Sequence, residues 1–179
     1  MPHRPDRPLL NAPRARAPLY TPAERARRDA SKWTLVQGVL APLQFVAFAV
    51  SVVFVMRFLA TGEGFFAATA SILVKTLLLY TIMVTGAIWE HDVFGRYLFA
   101  PAFFWEDVVS FVVITLHTVY LYWLLTGALD ARQQMYVALA AYATYVANAT
   151  QFLLKLRAAR LDAGPRPVGR IASPMKYAE

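Results

Sequence analysis

Four long apolar segments, separated by short polar ones, dominate the chain. They cover about residues 33–56, 65–89, 101–125 and 134–156. Each is long enough to cross a bilayer as a helix, because about 20 apolar residues span the hydrocarbon layer. The short connections place consecutive helices side by side and antiparallel. The pattern therefore predicts an all-α fold, a polytopic membrane protein in which an antiparallel bundle of four transmembrane helices lies between basic, disordered termini.

The polar sequence lies mainly at the two ends of the chain. Residues 1–20 are rich in Pro and Arg, and residues 162–179 are again polar and basic, so we expect both ends to be disordered. The four-helix domain is then residues 21–161. Thr21, Pro22 and Glu24 have the spacing of a capping box with Pro at the first helical position, which predicts a short helix at about 22–31. This helix either lies on the membrane surface or frays with the arm.

The charge distribution fixes an orientation in the membrane. The net charge is +7, yet only 16% of the residues are charged and 58% are hydrophobic. Nearly all Lys and Arg residues lie in the arm, the 90–97 loop and the tail, whereas the other two loops carry only Arg57 and Arg132. The positive-inside rule therefore places both termini in the cytoplasm, and we expect this charge to meet anionic lipid, not nucleic acid.

Other features of the sequence exclude several classes of site. The chain has no cysteine, which excludes disulfides, thiolate metal sites and a cysteine nucleophile. No apolar stretch precedes Trp33, so we expect no signal peptide. No nucleotide-binding or hydrolase motif is present. His91 and His117 differ too much in depth to ligate one haem, and we predict no metal site and no cofactor.

Ionisable side chains inside apolar segments are costly, so each is either a packing contact or part of a functional site. On the third segment, Glu106 lies just inside the apolar layer and His117 lies roughly 16 Å deeper on the same side. A carboxyl in that position favours its neutral form, because desolvation penalises charge, and a neutral carboxyl can deliver a proton. Asp107 points about 100° away and either joins Glu106 or pairs with a basic residue. Lys75, near the middle of the second segment, should face the bundle and either pair with another group or be neutral, because burial disfavours its charged form.

The other polar residues concentrate in one half of the bundle, together with many aromatic residues. They either hold neighbouring helices together or line a cavity for a flat apolar ligand. The predicted catalytic residues are Glu106, Glu90 and Asp107. The predicted substrate-binding residues are Gln37, Gln44, Phe104, Trp105, His117, Asn148, Gln151 and Lys155.

Several long runs of sequence carry a family resemblance. The longest are WTLVQGVLAP from Trp33, VKTLLLYTIMVTG from Val74, YLFAPAFFWED from Tyr97 and QFLLKLR from Gln151. In these runs the chain resembles the 3-vinyl (bacterio)chlorophyllide hydratase family of bacteriochlorophyll biosynthesis, over about residues 19–161.

The resemblance implies a lyase of a photosynthetic bacterium, placed in its inner membrane. Such a hydratase adds water across the 3-vinyl group of chlorophyllide a, or of its bacteriochlorin analogue, and gives a 3-(1-hydroxyethyl) group. The reaction needs a general acid for the terminal carbon, a ring that delocalises the cation, and an oriented water. The residue pattern then predicts Glu106 as the acid, Glu90 or Asp107 as the group that orients water, Asn148 and Gln151 as substrate contacts, and Lys155 or Arg157 as the partner of the substrate's propionate.

Two alternatives are open at this stage. A non-enzymatic tetrapyrrole-binding or assembly subunit would use the same aromatic slot, with His117 on the magnesium. A small-solute transporter has less support, because the chain has no internal repeat. The expected partners are the magnesium tetrapyrrole and the lipid bilayer, with association with other pigment-biosynthesis enzymes or with a second copy of the chain left open.

Overall fold

The protein is built from five α-helices in the computed structural model, which describes residues 19–162. Their bounds are Pro22–Ala30 for α1, Lys32–Thr61 for α2, Phe65–Phe94 for α3, Phe104–Thr126 for α4 and Ala131–Asp162 for α5. Helices α2 to α5 are long and apolar enough to cross a membrane. The predicted all-helical, multi-pass architecture is confirmed for these residues. The predicted disorder of the two termini falls almost wholly outside them and stays a prediction.

Helix α1 begins with the capping box that the sequence indicates. The Thr21 Oγ1 accepts the Glu24 backbone N–H at 3.3 Å, and the Glu24 carboxylate accepts the Thr21 backbone N–H at 2.7 Å. Just before this cap, Tyr20 is buried against Phe94 and Phe103. Helix α1 is therefore packed against one end of α3, while its predicted place on the membrane surface stays a prediction.

The four long helices form two hairpins. Helix α2 packs extensively on α3 and α4 on α5, whereas α2 touches α5, and α3 touches α4, over smaller areas. The helices continue beyond the predicted spans, since polar residues do not stop a helix. Helix α3 runs through Glu90 and ends only at Gly95, whose φ of 74° is the left-handed conformation that glycine adopts without strain.

The turn between α3 and α4 brings the candidate catalytic residues together. Helix α4 begins at Phe104 and not near Pro101, because residues 101–103 form a turn in which the Phe103 N–H donates to the Ala100 carbonyl at 2.8 Å. At this end of the bundle α3 and α5 finish while α2 and α4 begin. The opposite end is filled by an apolar cluster that includes Val55, Ile72 and Met135. Polar chemistry is therefore concentrated at the end that contains the α3–α4 turn.

Candidate functional site

Three carboxyl groups meet beside the α3–α4 turn. Glu90 on α3 is 5% exposed, and Glu106 and Asp107 on α4 are 7% and 4% exposed. The Glu90 and Asp107 carboxyls face each other within hydrogen-bond reach, and Glu106 lies near enough to act on both electrostatically. Two carboxylates in contact repel strongly, so a buried pair of this kind favours a state in which the two groups hold one proton between them. We refer to Glu90 and Asp107 as the acid pair.

The backbone of the turn fixes the acid pair in place. The Ala100 N–H donates to Glu90 Oε2 at 3.2 Å, and the Phe99 N–H donates to Asp107 Oδ2 at 2.7 Å. Phe99 has a φ of 58°, in the left-handed region that a bulky residue adopts at a cost of about 1–3 kcal/mol. The bond to Asp107 helps to hold this strained backbone, so the turn and the acid pair form one unit.

Glu106 differs from the acid pair because it has a cationic partner. The Lys155 ammonium on α5 donates to the Glu106 carboxylate and to the Ala102 carbonyl. Its Nζ also lies 4.9 Å from the centroid of the Phe103 ring. The carboxylate of an ion pair is ionised and has no proton of its own to donate. This contact sets Glu106 apart from the acid pair, and the role of Glu106 as the proton donor stays a prediction.

Four aromatic rings form a connected group at the α3–α4 turn and the start of α4, and one of them, Phe99, is joined to the acid pair through its backbone N–H. The Phe99 ring lies parallel to Phe111 with centroids 5.6 Å apart, and it is tilted against Phe104 at 5.7 Å. Trp105 meets the Phe104 ring edge-on at 5.4 Å. The four side chains are 39–69% exposed, so their faces are open to a ligand or to lipid. We call them the aromatic face.

Two members of the aromatic face were predicted as substrate-binding residues, Phe104 and Trp105, and two were not. Phe111 could have been found from spacing, because it follows Phe104 by seven residues and so lies on the same side of α4. Phe99 could not have been found in this way, since its position depends on a left-handed backbone in the turn.

Asn148 and Ser110 form a polar contact between α5 and α4. This contact lies about one helical turn further along α4 than Glu106, on the line where α4 and α5 pack together. The Asn148 Nδ2 donates to the Ser110 Oγ at 2.9 Å. Ser110 follows Glu106 by four residues, a rise of about 6 Å along α4. The Asn148 Oδ1 is buried and has no hydrogen-bond partner within residues 19–162. The sequence predicts Asn148 as a substrate contact, and its helical spacing places Ser110 on the same side of the third segment as Glu106 without assigning it a role.

The remaining predicted binding residues lie in three different surroundings. Gln37 donates to Thr85 Oγ1 at 2.8 Å and packs beside Gly86, so it joins α2 to α3. Gln44 is 2% exposed, and neither polar atom of its amide has a partner in the described part of the chain. Gln151 is exposed on α5. Their contacts with substrate stay predictions.

A second polar group lies near the middle of the bundle. Lys75 Nζ donates to His117 Nε2 at 2.7 Å, because the His117 Nδ1–H donates to the Val113 carbonyl at 2.8 Å. The Lys75 Nζ also lies 4.1 Å from the Tyr145 ring centroid and 5.3 Å from that of Tyr142. We call Lys75, His117, Tyr142 and Tyr145 the deep cluster.

The deep cluster supplies a partner for Lys75, and the sequence alone does not show which residue that partner is. Both ring nitrogens of His117 are engaged and the side chain is 1% exposed, so nothing in this arrangement supports its predicted contact with substrate. Within residues 19–162, no group of three or more His, Asp or Glu side chains is arranged to hold a metal ion.

Comparison with known proteins decides the family. A family described as 2-vinyl bacteriochlorophyllide hydratase matches residues 20–158. The chain belongs to this family. The matched region contains the acid pair, the aromatic face and the deep cluster, and the family resemblance predicted from the sequence is confirmed.

Two curated relatives of the family cover most of the chain. A protein of Rhodobacter capsulatus is 66% identical over 171 residues, 96% of this chain and 96% of its own length. A protein of Cereibacter sphaeroides is 72% identical over 144 residues, 80% of this chain and 89% of its own length. Both are named 2-vinyl bacteriochlorophyllide hydratase. No solved structure matches the chain.

Proposed function

We propose that this chain is a hydro-lyase that adds water to the vinyl group of chlorophyllide a or 3-vinyl bacteriochlorophyllide a and produces the 1-hydroxyethyl group. Position 2 in the relatives' names and position 3 are the same ring carbon in two numbering conventions for tetrapyrroles. The names of relatives at 66% and 72% identity support the reaction. The observation that carries it chemically is a buried carboxyl pair beside exposed aromatic rings in a membrane domain.

The acid pair supplies the proton in this proposal. The proton shared by Glu90 and Asp107 passes to the terminal carbon of the vinyl group, and a C–H bond forms as the double bond opens. The cation then lies on the carbon attached to the macrocycle, where the ring delocalises it. The negative charge left on the pair stabilises this cation in a dry site, where electrostatic interactions are strong.

Glu106 takes the proton of the attacking water. Its carboxylate is held by the Lys155 ammonium and lies close to the acid pair. Water forms the C–O bond at the cationic carbon and gives its proton to Glu106 as it does so. The proton then returns from Glu106 to the acid pair, so the cycle consumes only the vinyl compound and one water molecule and needs no cofactor.

The macrocycle lies against the aromatic face with its vinyl edge turned toward the acid pair. Exposed aromatic rings suit a flat conjugated ligand, which stacks on them with little loss of side-chain entropy. Lys155 is engaged by Glu106, so the exposed Arg157 is the better partner for the substrate's propionate. Asn148 and Gln151 then border the ring on α5.

The site faces the cytoplasmic side of a bacterial inner membrane in this proposal, with both termini cytoplasmic. The end that contains the α3–α4 turn carries most of the basic residues that flank the spans, and positive charge is retained on the cytoplasmic side. These residues are Arg25, Arg27, Arg28, Lys32, Arg96, Arg157 and Arg160. Association with other pigment-biosynthesis enzymes or with a second copy stays a prediction.

A turnover assay with the purified full chain tests the function. The protein is placed in lipid nanodiscs with 3-vinyl bacteriochlorophyllide a, and the pigment is analysed by chromatography and mass spectrometry. We expect a product heavier by one water molecule, formed in many equivalents per protein. A shifted absorption spectrum with no such product would contradict the proposal and identify a pigment-binding protein.

A further inference from the structure

The Asn148–Ser110 contact has an unused acceptor where the reaction needs a water molecule. Asn148 is 8% exposed, and its Oδ1 has no partner within residues 19–162. An unpaired buried amide oxygen is costly in an apolar environment, and buried waters commonly satisfy such groups. The contact therefore has a polar atom whose surroundings favour a bound water.

The hydrogen-bond roles of the two side chains complement those of a water molecule. The Ser110 Oγ accepts from the Asn148 Nδ2 at 2.9 Å, which leaves the Ser110 hydroxyl proton available as a donor. The Asn148 Oδ1 is an acceptor. One donor and one acceptor together orient a water and leave it one O–H and one lone pair for reaction.

The contact lies on the same seam between α4 and α5 as the carboxylate that accepts the proton of the water. Ser110 follows Glu106 by four residues on α4, and Asn148 precedes Lys155 by seven residues on α5, so both links lie on the same seam. The rise from Glu106 to Ser110 is about 6 Å, and a water molecule on this contact has Glu106 above it. The remaining O–H of the water can then point at the carboxylate that accepts its proton.

We propose that Ser110 and Asn148 form the binding site for the water that is added to the vinyl group. This inference rests on the proposed hydratase function and deepens it by assigning its second substrate. Because the contact holds the water on one side of the planar cation, it also determines which face of the cation is attacked. Ser110 and Asn148 thus control the configuration of the new alcohol.

The test compares Asn148→Leu with wild type in D₂O, with Thr150→Val as the matched control. Thr150 is an exposed polar residue on α5 whose hydroxyl bonds only its own helix, at Val146 O. We measure the hydration rate, the ratio of the two alcohol configurations, and deuterium in the vinyl CH₂ of recovered substrate. Deuterium reports protonation followed by loss of a proton without capture of water.

We expect Asn148→Leu to slow hydration by about 10- to 100-fold, the cost of misplacing one reacting group. Recovered substrate should gain deuterium at the vinyl CH₂, and the residual product should show a less selective configuration. Thr150→Val should match wild type in all three readouts. Ser110→Ala, which removes a single oxygen, should shift the same readouts in the same direction. This variant replaces Asn148→Leu in the test if Asn148→Leu does not insert into the membrane.

Two results would overturn the inference. One is hydration at the wild-type rate and selectivity in both variants. The other is slow hydration with no deuterium uptake and an unchanged configuration ratio, which would mean that protonation, and not capture of water, is damaged. Failure of wild-type protein to make any hydrated product would instead contradict the proposed function itself.

Discussion

The acid cluster at the α3–α4 turn and the deep cluster are both buried polar groups, but their charges are balanced in different ways. At the turn, Glu90, Glu106 and Asp107 lie together, and within residues 19–162 the cation that forms an ion pair with them is Lys155. In the deep cluster, Lys75 meets a neutral imidazole nitrogen and two tyrosine rings. Within the described residues, the first group therefore has more acidic groups than cations. The second group contains no carboxyl group.

The two groups also differ in what encloses them. The deep cluster is sealed by all four long helices, since Tyr142 also hydrogen-bonds Ser51 on α2 at 2.6 Å. The acid cluster instead adjoins the exposed aromatic face. A buried ionisable group in a membrane protein can thus serve chemistry or hold helices together, and access to a ligand surface distinguishes the two uses.

The largest expected effect follows from removal of one member of the acid pair. Glu90→Gln eliminates the shared proton, and we expect the hydration rate to fall by about 10²- to 10⁴-fold, the usual contribution of a general acid. Glu63→Gln, in the exposed turn at the opposite end of the bundle, is the control. A rate for Glu90→Gln close to that of the control would contradict the assignment.

Breaking the ion pair at the site should lower stability more than removing it completely. Lys155→Met leaves the Glu106 carboxylate buried without its cation, and we expect a loss of about 2 kcal/mol, below the value for fully buried pairs because Lys155 is partly exposed. Lys155→Met combined with Glu106→Gln should recover most of that stability while hydration remains slow. Thermal unfolding in detergent and turnover measure the two effects. If the double variant recovered both stability and turnover, the ion pair would have only a structural role.

Lys75→Met should separate the deep cluster from catalysis. It leaves His117 Nε2 as a buried acceptor without a donor, which costs about 1–3 kcal/mol of stability. Turnover per folded protein should stay within about threefold of wild type, since the cluster does not touch the site. A loss of turnover as large as that of Glu90→Gln would erase the distinction between the two groups.

The smallest expected effect concerns the strained turn. Phe99→Gly and Phe99→Ala both remove a ring from the aromatic face, but only glycine relieves the left-handed backbone. We expect the glycine variant to be about 1 kcal/mol more stable than the alanine variant. Both should raise KM to a similar extent and alter kcat less. Equal stability of the two variants would show that the turn is not strained, and an unchanged KM in both would remove Phe99 from the substrate surface.

The sequence predicts the helices well and makes the three carboxyls easy to single out, because both features depend on local chemistry. Apolar length defines α2 to α5, and Glu90, Glu106 and Asp107 are conspicuous in apolar surroundings. Contacts between residues on different helices cannot be predicted from local sequence in this way. Lys75 and His117 are 42 residues apart, and Lys155 and Glu106 are 49 apart, so only packing shows that they meet. The sequence alone therefore predicts Glu106 as the proton donor, whereas its ion pair with Lys155 is a contact that only the fold creates.

The most direct test of the proton assignment is an infrared spectrum of the protein in lipid, recorded in the carbonyl region of protonated carboxylic acids. We predict one band from a protonated carboxyl. This band should be absent in Glu90→Gln, shifted in Asp107→Asn and unchanged in Glu106→Gln. Loss of this band in Glu106→Gln alone, with no change in the other two variants, would contradict the account and return the proton to Glu106.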